Sequence, residues 1–272
     1  MPPSETAAPD LAGIAASTGE DLLVQVTALA LEAGAAILKI YTGPEIAAAE
    51  KADGSPVTAA DEAAEAVILD GLARIAPNVP VVAEEAVSRS GAPDTASAGR
   101  FWLVDPLDGT KEFLNRNGEF TVNIALVQDG RPVLGVVHAP ALAETYSGAV
   151  GLGAWHADNR ERRVITARHP GPEGLVVVAS RSHGDPAALD RFLEGRRVAG
   201  RREVGSSLKF CLVAAGEADL YPRFGRTMEW DTAAGHAVLA AAGGRVTDLD
   251  GAPLRYGKPG FDTPHFVARG RE

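Results

Sequence analysis

Four apolar residues, Phe101-Trp102-Leu103-Val104, run straight into Asp105-Pro106-Leu107-Asp108-Gly109-Thr110-Lys111-Glu112-Phe113. The apolar tetrapeptide predicts a buried strand, so whatever follows is delivered to one place by the core. Two carboxylates then stand three residues apart, with a proline between them that stiffens the turn. Gly109 lets the backbone pass close to a ligand, and Thr110 adds a hydroxyl. Asp105 and Asp108 are hard oxygen donors of the kind a divalent cation takes. Backbone N–H groups after Gly109 would hold phosphate oxygens if a helix starts there. Asp-Pro and Asp-Gly are also ordinary turn dipeptides, so this stretch alone is equally a turn.

The rest of the composition narrows the choice. The 272 residues, 46% of them hydrophobic, suffice for one large domain or two intimately packed halves. The single cysteine, Cys211, excludes an internal disulfide and suits a reducing compartment. Its apolar surroundings, Leu208 to Val213, predict a small buried side chain on a helix. A formal charge of −10 without a basic stripe argues against binding nucleic acid. An acidic protein that handles phosphorylated anions needs local positive charge, which bound metal ions would supply. No apolar run reaches the ~20 residues of a membrane span, and Met1-Pro2-Pro3-Ser4-Glu5 lacks the charged start of a secretory signal. Residues 1–18 predict a disordered leader.

Leu22, Val26, Leu29, Ala33 and Ile37 recur at helical spacing after a capping-box pattern at Ser17 to Glu20. Asp53-Gly54-Ser55-Pro56, just after Lys51, predicts a turn between two extended pieces. Thr58 predicts the cap of a second helix, with Asp61 in its first turn, where a carboxylate can simply answer the helix dipole. Val79 to Ala83 predicts a strand ending at Glu84-Glu85, and residues 86–99 a surface loop. Thr121 to Trp155 predicts antiparallel strands, so the first half is two helices on a mainly antiparallel sheet. Asp158 to Arg163 marks a change of composition, either a boundary between halves 19–160 and 161–272 or, more simply, a solvated hairpin. Beyond it, Leu175 to Ala179 predicts a strand buried on both faces. Helices are expected at Pro186 to Leu193, from Gly205-Ser206-Ser207 through Ala215, and from Glu229-Trp230-Asp231 to Gly243-Gly244, with strands at Ala218 to Tyr221, Arg245 to Asp248 and Phe266 to Ala268.

Glu84, Asp105 and Asp108 follow predicted strand ends, and Asp61 and Asp231 stand at predicted helix starts. Such ends commonly converge on a crevice in an α/β layer. Five carboxylates in one crevice repel unless divalent metals neutralise them, and oxygen-only ligands favour Mg²⁺ over Zn²⁺. His138, His156, His183, His236 and His265 show no zinc spacing. Trp230 is expected to pack rather than to stack on a base.

Asp61, Glu84-Glu85, Asp105-Pro106-Leu107-Asp108-Gly109-Thr110 and Trp230-Asp231-Thr232-Ala233-Ala234 resemble the signature of the inositol monophosphatase superfamily of Mg²⁺-dependent, lithium-sensitive phosphatases. Within it, Asp108-Gly109-Thr110-Lys111-Glu112-Phe113, Gly205 to Cys211 and Leu220-Tyr221-Pro222-Arg223-Phe224 are similar to the bacterial 3′(2′),5′-bisphosphate nucleotidases of sulfur assimilation. The resemblance implies an α/β (α+β) fold, a layered αβαβα sandwich of two intimately packed halves. It implies that Glu84, Asp105 and the Leu107 carbonyl bind one Mg²⁺, and that Asp105, Asp108 and Asp231 bind a second. Asp61 and Thr110 would place the attacking water, with a third, weaker metal, and the Gly109 and Thr110 N–H groups would hold the departing phosphate. Ser206, Lys209 and Arg223 are candidates for the nucleotide's second phosphate or sugar; as plain residues they would be a helix cap and two solvated charges. One departure from the family pattern is Ala83 and Ala86 around Glu84-Glu85, where a glycine and a serine are usual, so a supporting hydroxyl is missing.

The implied reaction is metal-assisted, in-line hydrolysis of the 3′-phosphate of adenosine 3′,5′-bisphosphate, giving AMP and phosphate, with the sulfated nucleotide as a further substrate. The alternatives are an inositol or sugar phosphate monoesterase with the same metals, and a catalytically silent nucleotide sensor. The expected partner is a small phosphorylated nucleotide, and the expected chain a monomer or homodimer without an integral membrane segment. The expected location is cytoplasmic, with peripheral attachment to the inner membrane allowed by the resemblance.

Overall fold

Leu22, Val26, Leu29, Ala33 and Ile37 are all buried on α1 (Gly19–Tyr41), and each of the Leu, Val and Ile side chains contributes about 2 kcal/mol to folding. The computed structural model describes residues 19–44, 48–50, 56–95, 98–181 and 184–271. The leader, the Ser17 to Thr18 part of the capping pattern, Lys51, the turn at Asp53 to Ser55 and His183 lie outside them. β1 (Ala48–Glu50) pairs antiparallel with β2 (Pro56–Thr58), which opens into α2 (Ala59–Ile75). Ala64, Ile68 and Leu72 of α2 join the α1 stripe in one core cluster. By length and a mean hydropathy of 1.6, α1 passes for a membrane-crossing helix, which the sequence reading did not find. Its apolar face instead packs against α2 and a large sheet.

That sheet follows in chain order. β3 (Val81–Ala83) leads into α3 (Glu84–Ser90), then β4 (Arg100–Asp108), α4 (Thr110–Leu114), β5 (Thr121–Gln128), β6 (Arg131–Ala139), β7 (Glu144–Ala149), β8 (Gly153–Ala157) and β9 (Arg162–Ile165). The strands lie side by side in that order, antiparallel throughout except for the parallel β3–β4 pair. The charged stretch at Asp158 is a hairpin, and the sheet runs past residue 160 to Ile165.

The second half holds β10 (Leu175–Ser180), α5 (Pro186–Leu193), β11 (Val198–Val204), α6 (Leu208–Ala214), β12 (Leu220–Arg223), β13 (Thr227–Met228), α7 (Glu229–Ala241), β14 (Arg245–Asp248), β15 (Asp262–Thr263) and β16 (Phe266–Arg269). Five of these strands form a sheet of order β11-β10-β12-β16-β14, and β13 pairs with β15. α6 and α7 lie between the two sheets, α1 and α2 cover the outer face of the first, and α5 covers the second through Leu189, Phe192 and Leu193. The result is an αβαβα sandwich, as expected.

Close approach between the halves depends on glycine. A Cβ on Gly135 of β6 would stand 2.3 Å from the carbonyl oxygen of Ala234 on α7, and one on Gly148 of β7 would stand 3.0 Å from Ala241 Cβ. The two hydrogens of Gly135 therefore set how closely α7 sits on the first sheet.

Three expectations are corrected. Residues 86–99 are not wholly loop, because α3 continues through Ser90. β10 is fully buried only at Val177 and Val178, because Leu175, Val176, Ala179 and Ser180 are partly open. β11 was not foreseen, since Arg201 and Arg202 on this exposed edge interrupt any apolar pattern.

Candidate active site

Sequence reading placed Asp105 and Asp108 after the end of a strand, but both lie within β4. The ladder pairs Val104 with Ile124 and Asp105 with Asn123, then shifts before Asp108 meets Thr121. Pro106 sits in that shift and has no N–H to give the neighbouring strand. The local break leaves the two carboxylates facing a cavity while the strand stays anchored. Leu107 N–H closes the turn on Asp105 Oδ1 at 3.0 Å. Gly109 adopts φ +91, the left-handed region, and α4 begins at Thr110 as the phosphate reading required.

Glu84 follows the end of β3, as expected, and is the first residue of α3. Its preceding residue, Ala83, offers no capping side chain. Glu65 of α2, 1% exposed, does the capping instead: its Oε2 accepts from Glu85 N–H at 3.0 Å and Ala86 N–H at 3.1 Å, and its Oε1 from Arg89 at 2.5 Å. A carboxylate from the preceding helix thus satisfies the first N–H groups of α3, the helix that carries Glu84.

Asp231 is the third residue of α7. Its Oδ2 accepts from the Thr227 hydroxyl at 2.7 Å and from Met228 N–H at 2.9 Å, which leaves Oδ1 for the cavity. Asp61 repeats the pattern at the start of α2, where its Oδ2 accepts from Thr58 N–H and from the Thr58 hydroxyl, both at 2.7 Å. The two differ in surroundings. Asp231 lines the cavity, together with Glu84, Asp105, Leu107, Asp108, Gly109, Thr110, Ser206, Lys209 and Arg223. Asp61 is not among the lining residues, although α4 packs against β2 beside it.

Glu84, Asp105 and Asp231 each present an oxygen, and these lie within 4.8 Å of one another. They come from α3, β4 and α7. Burial pushes the Asp231 carboxyl above its ordinary value, against the hydrogen bonds it takes from Met228 N–H and the Thr227 hydroxyl. The crowded negative charge is what a divalent cation neutralises, and an all-oxygen donor set fits a hard cation. Asp108 belongs to the same wall but is partly engaged: Ser207 and Asn123 hold its Oδ2 at 3.0 and 3.4 Å. Burial, then the charge of Asp231, pushes the Asp108 carboxyl up to about 6, against the pull of Lys209. A cation would need the ionised form, which is only half populated at that value. Affinity for a divalent cation, probed calorimetrically with Mg²⁺, is expected to level off above about pH 7 and to fall up to ~10-fold per pH unit below about 6.

Elsewhere in the cavity lining, the plain readings of three residues are corrected. Ser206 caps no helix: it adopts φ +46, and its buried hydroxyl has no hydrogen-bond partner among the described residues. A non-glycine residue in that region is strained, a cost commonly found at functional sites. Lys209 and Arg223 are not solvated charges but 3% and 8% exposed. Lys209 Nζ donates to the carbonyls of Val204, at 3.2 Å, and Ser206. Burial brings its pKa down to about 8, with Asp108 opposing. The cavity holds about 500 Å³, room for a nucleotide-sized ligand.

Sequence reasoning missed Ser207, Asn123 and the cavity-lining Glu112 and Arg226. The register of β5 beside β4 would have found Asn123; nothing local marks the others. Trp230 packs as expected, 6.2 Å from Phe261 between ring centroids. His138 and His236 are neutral through burial, at about 4 and 3, and neither lines the cavity.

The family profile described as "Inositol monophosphatase family" matches residues 20–268. The chain belongs to this family. Among inositol monophosphatase family members, the 3′(2′),5′-bisphosphate nucleotidase CysQ of Escherichia coli (strain K12) is 53% identical over 236 residues, covering 86% of this chain and 94% of that one. The crystal structure of CysQ from Bacteroides thetaiotaomicron superposes with a TM-score of 0.76 at 38% identity, covering 93% and 98% of the two chains. The inositol monophosphatase of Anabaena superposes with a TM-score of 0.74 at 31% identity, covering 93% and 91%. This inositol monophosphatase family chain is therefore a metal-dependent phosphatase, with an acidic cluster where its fold brings three distant elements together.

Proposed function

We propose that the protein hydrolyses the 3′-phosphate of adenosine 3′,5′-bisphosphate to AMP and phosphate, and acts likewise on the sulfated analogue, with Mg²⁺ as its metal. The observation that carries this reading is one cavity lined by two chemically distinct sets of side chains. Glu84, Asp105 and Asp231 form a carboxylate cluster, and Lys209 and Arg223 are buried cations lining the same cavity. A simple phosphate monoester needs only the first set; a bisphosphate uses both. The likeness to CysQ at 53% identity supports the same substrate. The product suits recycling of a spent nucleotide in sulfur assimilation. A buried free thiol at Cys211 agrees with a cytoplasmic setting.

In this reading Glu84, Asp105 and the Leu107 carbonyl hold one ion, and Asp105, Asp108 and Asp231 hold a second. Bound there, Mg²⁺ supplies charge neutralisation at the phosphoryl oxygens and acidifies water. Thr110, with Asp61 behind it, orients the attacking water. The N–H groups of Gly109 and Thr110 receive the departing phosphate, and Lys209, Arg223 and Ser206 hold the second phosphate so that the 3′-ester faces the carboxylates. Little covalent chemistry falls to the protein, so positioning and electrostatics carry the rate.

The test is phosphate release from adenosine 3′,5′-bisphosphate, its sulfated analogue and inositol 1-phosphate with Mg²⁺, then with added Li⁺. The bisphosphate is expected to turn over fastest, and millimolar Li⁺ to inhibit. Preference for inositol 1-phosphate would replace the proposal with a sugar phosphate monoesterase, and absence of any release would leave only a binding protein.

A further inference from the structure

Between the two halves lies a polar contact that no ligand role explains. The hydroxyl of Ser207, at the N-cap of α6 and 2% exposed, stands 3.0 Å from Asp108 Oδ2 on β4 and 2.6 Å from the backbone carbonyl of Asp231 on α7. Asn123 Nδ2, on β5 and fully buried, donates to the same hydroxyl at 3.0 Å and reaches Asp108 Oδ2 at 3.4 Å. Ser207 makes no side-chain capping bond to its own helix. Its polar contacts are therefore spent on the neighbours of the acidic cluster: a side chain from the first half and a main-chain group from the second.

We infer that Ser207 is a positioning residue for metal binding, tying Asp108 to Asp231 across the junction of the halves, with Asn123 as its support. The inference deepens the reading above and rests on Asp108 and Asp231 serving as metal ligands. The one hydroxyl proton is shared between Asp108 Oδ2 and the Asp231 carbonyl as a three-centre bond, and the Asn123 amide reaches the same Asp108 oxygen. The carbonyl contact fixes the first turn of α7, and with it the spacing between Asp231 and Asp108. Partners of metal ligands commonly matter by 10–100-fold in affinity. Removing this hydroxyl loosens the two halves against each other at the point where they share an ion.

Calorimetric titration of Mg²⁺ into the purified protein tests this directly, without turnover. Ser207→Ala is expected to weaken one class of Mg²⁺ site by about 10–100-fold and to shrink the rise in melting temperature that Mg²⁺ produces. Ser207→Thr keeps the hydroxyl and should bind as the parent does. Should the alanine variant fail to fold, Ser207→Cys, of similar volume but a far weaker donor, must show the same weakening. Parental Mg²⁺ affinity in a folded variant without the hydroxyl overturns the inference, as does a folded threonine variant as weak as alanine. A wild type that binds Mg²⁺ but releases no phosphate from the bisphosphate would sink the proposed substrate while leaving this inference standing.

Discussion

Asp105→Asn is expected to lower turnover of adenosine 3′,5′-bisphosphate by on the order of 10³-fold at saturating Mg²⁺, because bound metal supplies several kcal/mol of transition-state stabilisation at about 1.4 kcal/mol per tenfold in rate. Asp105 is 2% exposed and belongs, with Glu84 and Asp231, to the trio whose oxygens lie within 4.8 Å of one another. Asparagine keeps the shape and can still receive the Leu107 N–H, which sits 3.0 Å from Oδ1. It removes one negative charge from a crowded buried cluster, so the metal-free protein should melt no lower than the parent. The rise in melting temperature on adding Mg²⁺ should shrink at the same time. Near-parental phosphate release by the folded variant would dismiss Asp105 as a shared ligand, whatever its effect on melting.

Lys209→Met should act on a different quantity. Losing a buried charged contact to phosphate costs about 2–5 kcal/mol, so kcat/KM for the bisphosphate should drop by on the order of 10²-fold. Adenosine 3′-monophosphate, which lacks the second phosphate, should lose far less. The comparison matters because Lys209 also ties down the carbonyls of Val204 and Ser206. An equal fall for both substrates would mean that Lys209 shapes the loop rather than recognising the phosphate.

The sequence exposed what is local and periodic. Apolar positions at helical spacing set α1, and Thr58 marked the start of α2. The Asp105 to Thr110 stretch, which alone read equally as a turn, has a proline and a glycine that fit a backbone leaving the sheet ladder and then turning left-handed. What stayed hidden depends on distance along the chain. Glu65 looks like one more helix acid until α3 brings two backbone N–H groups to it. Lys209 looks solvent-facing until α6 is wedged between two sheets. Ser207 carries no local sign of its role, since its two acceptors lie on strands and helices of different halves. Asp61 shows the opposite case: the local reading as a capping carboxylate is fully realised in its bonds to Thr58.

The glycine at position 135 has a reach beyond its own strand. Ala234, whose carbonyl a methyl there would strike at 2.3 Å, is one helical turn from Asp231. A wedge of a single carbon, uncharged and remote from the cavity mouth, would lever α7 upward and swing its acidic end away from the partners it meets. Such a protein would keep its acidic residues and most of its core, yet grip its cation poorly.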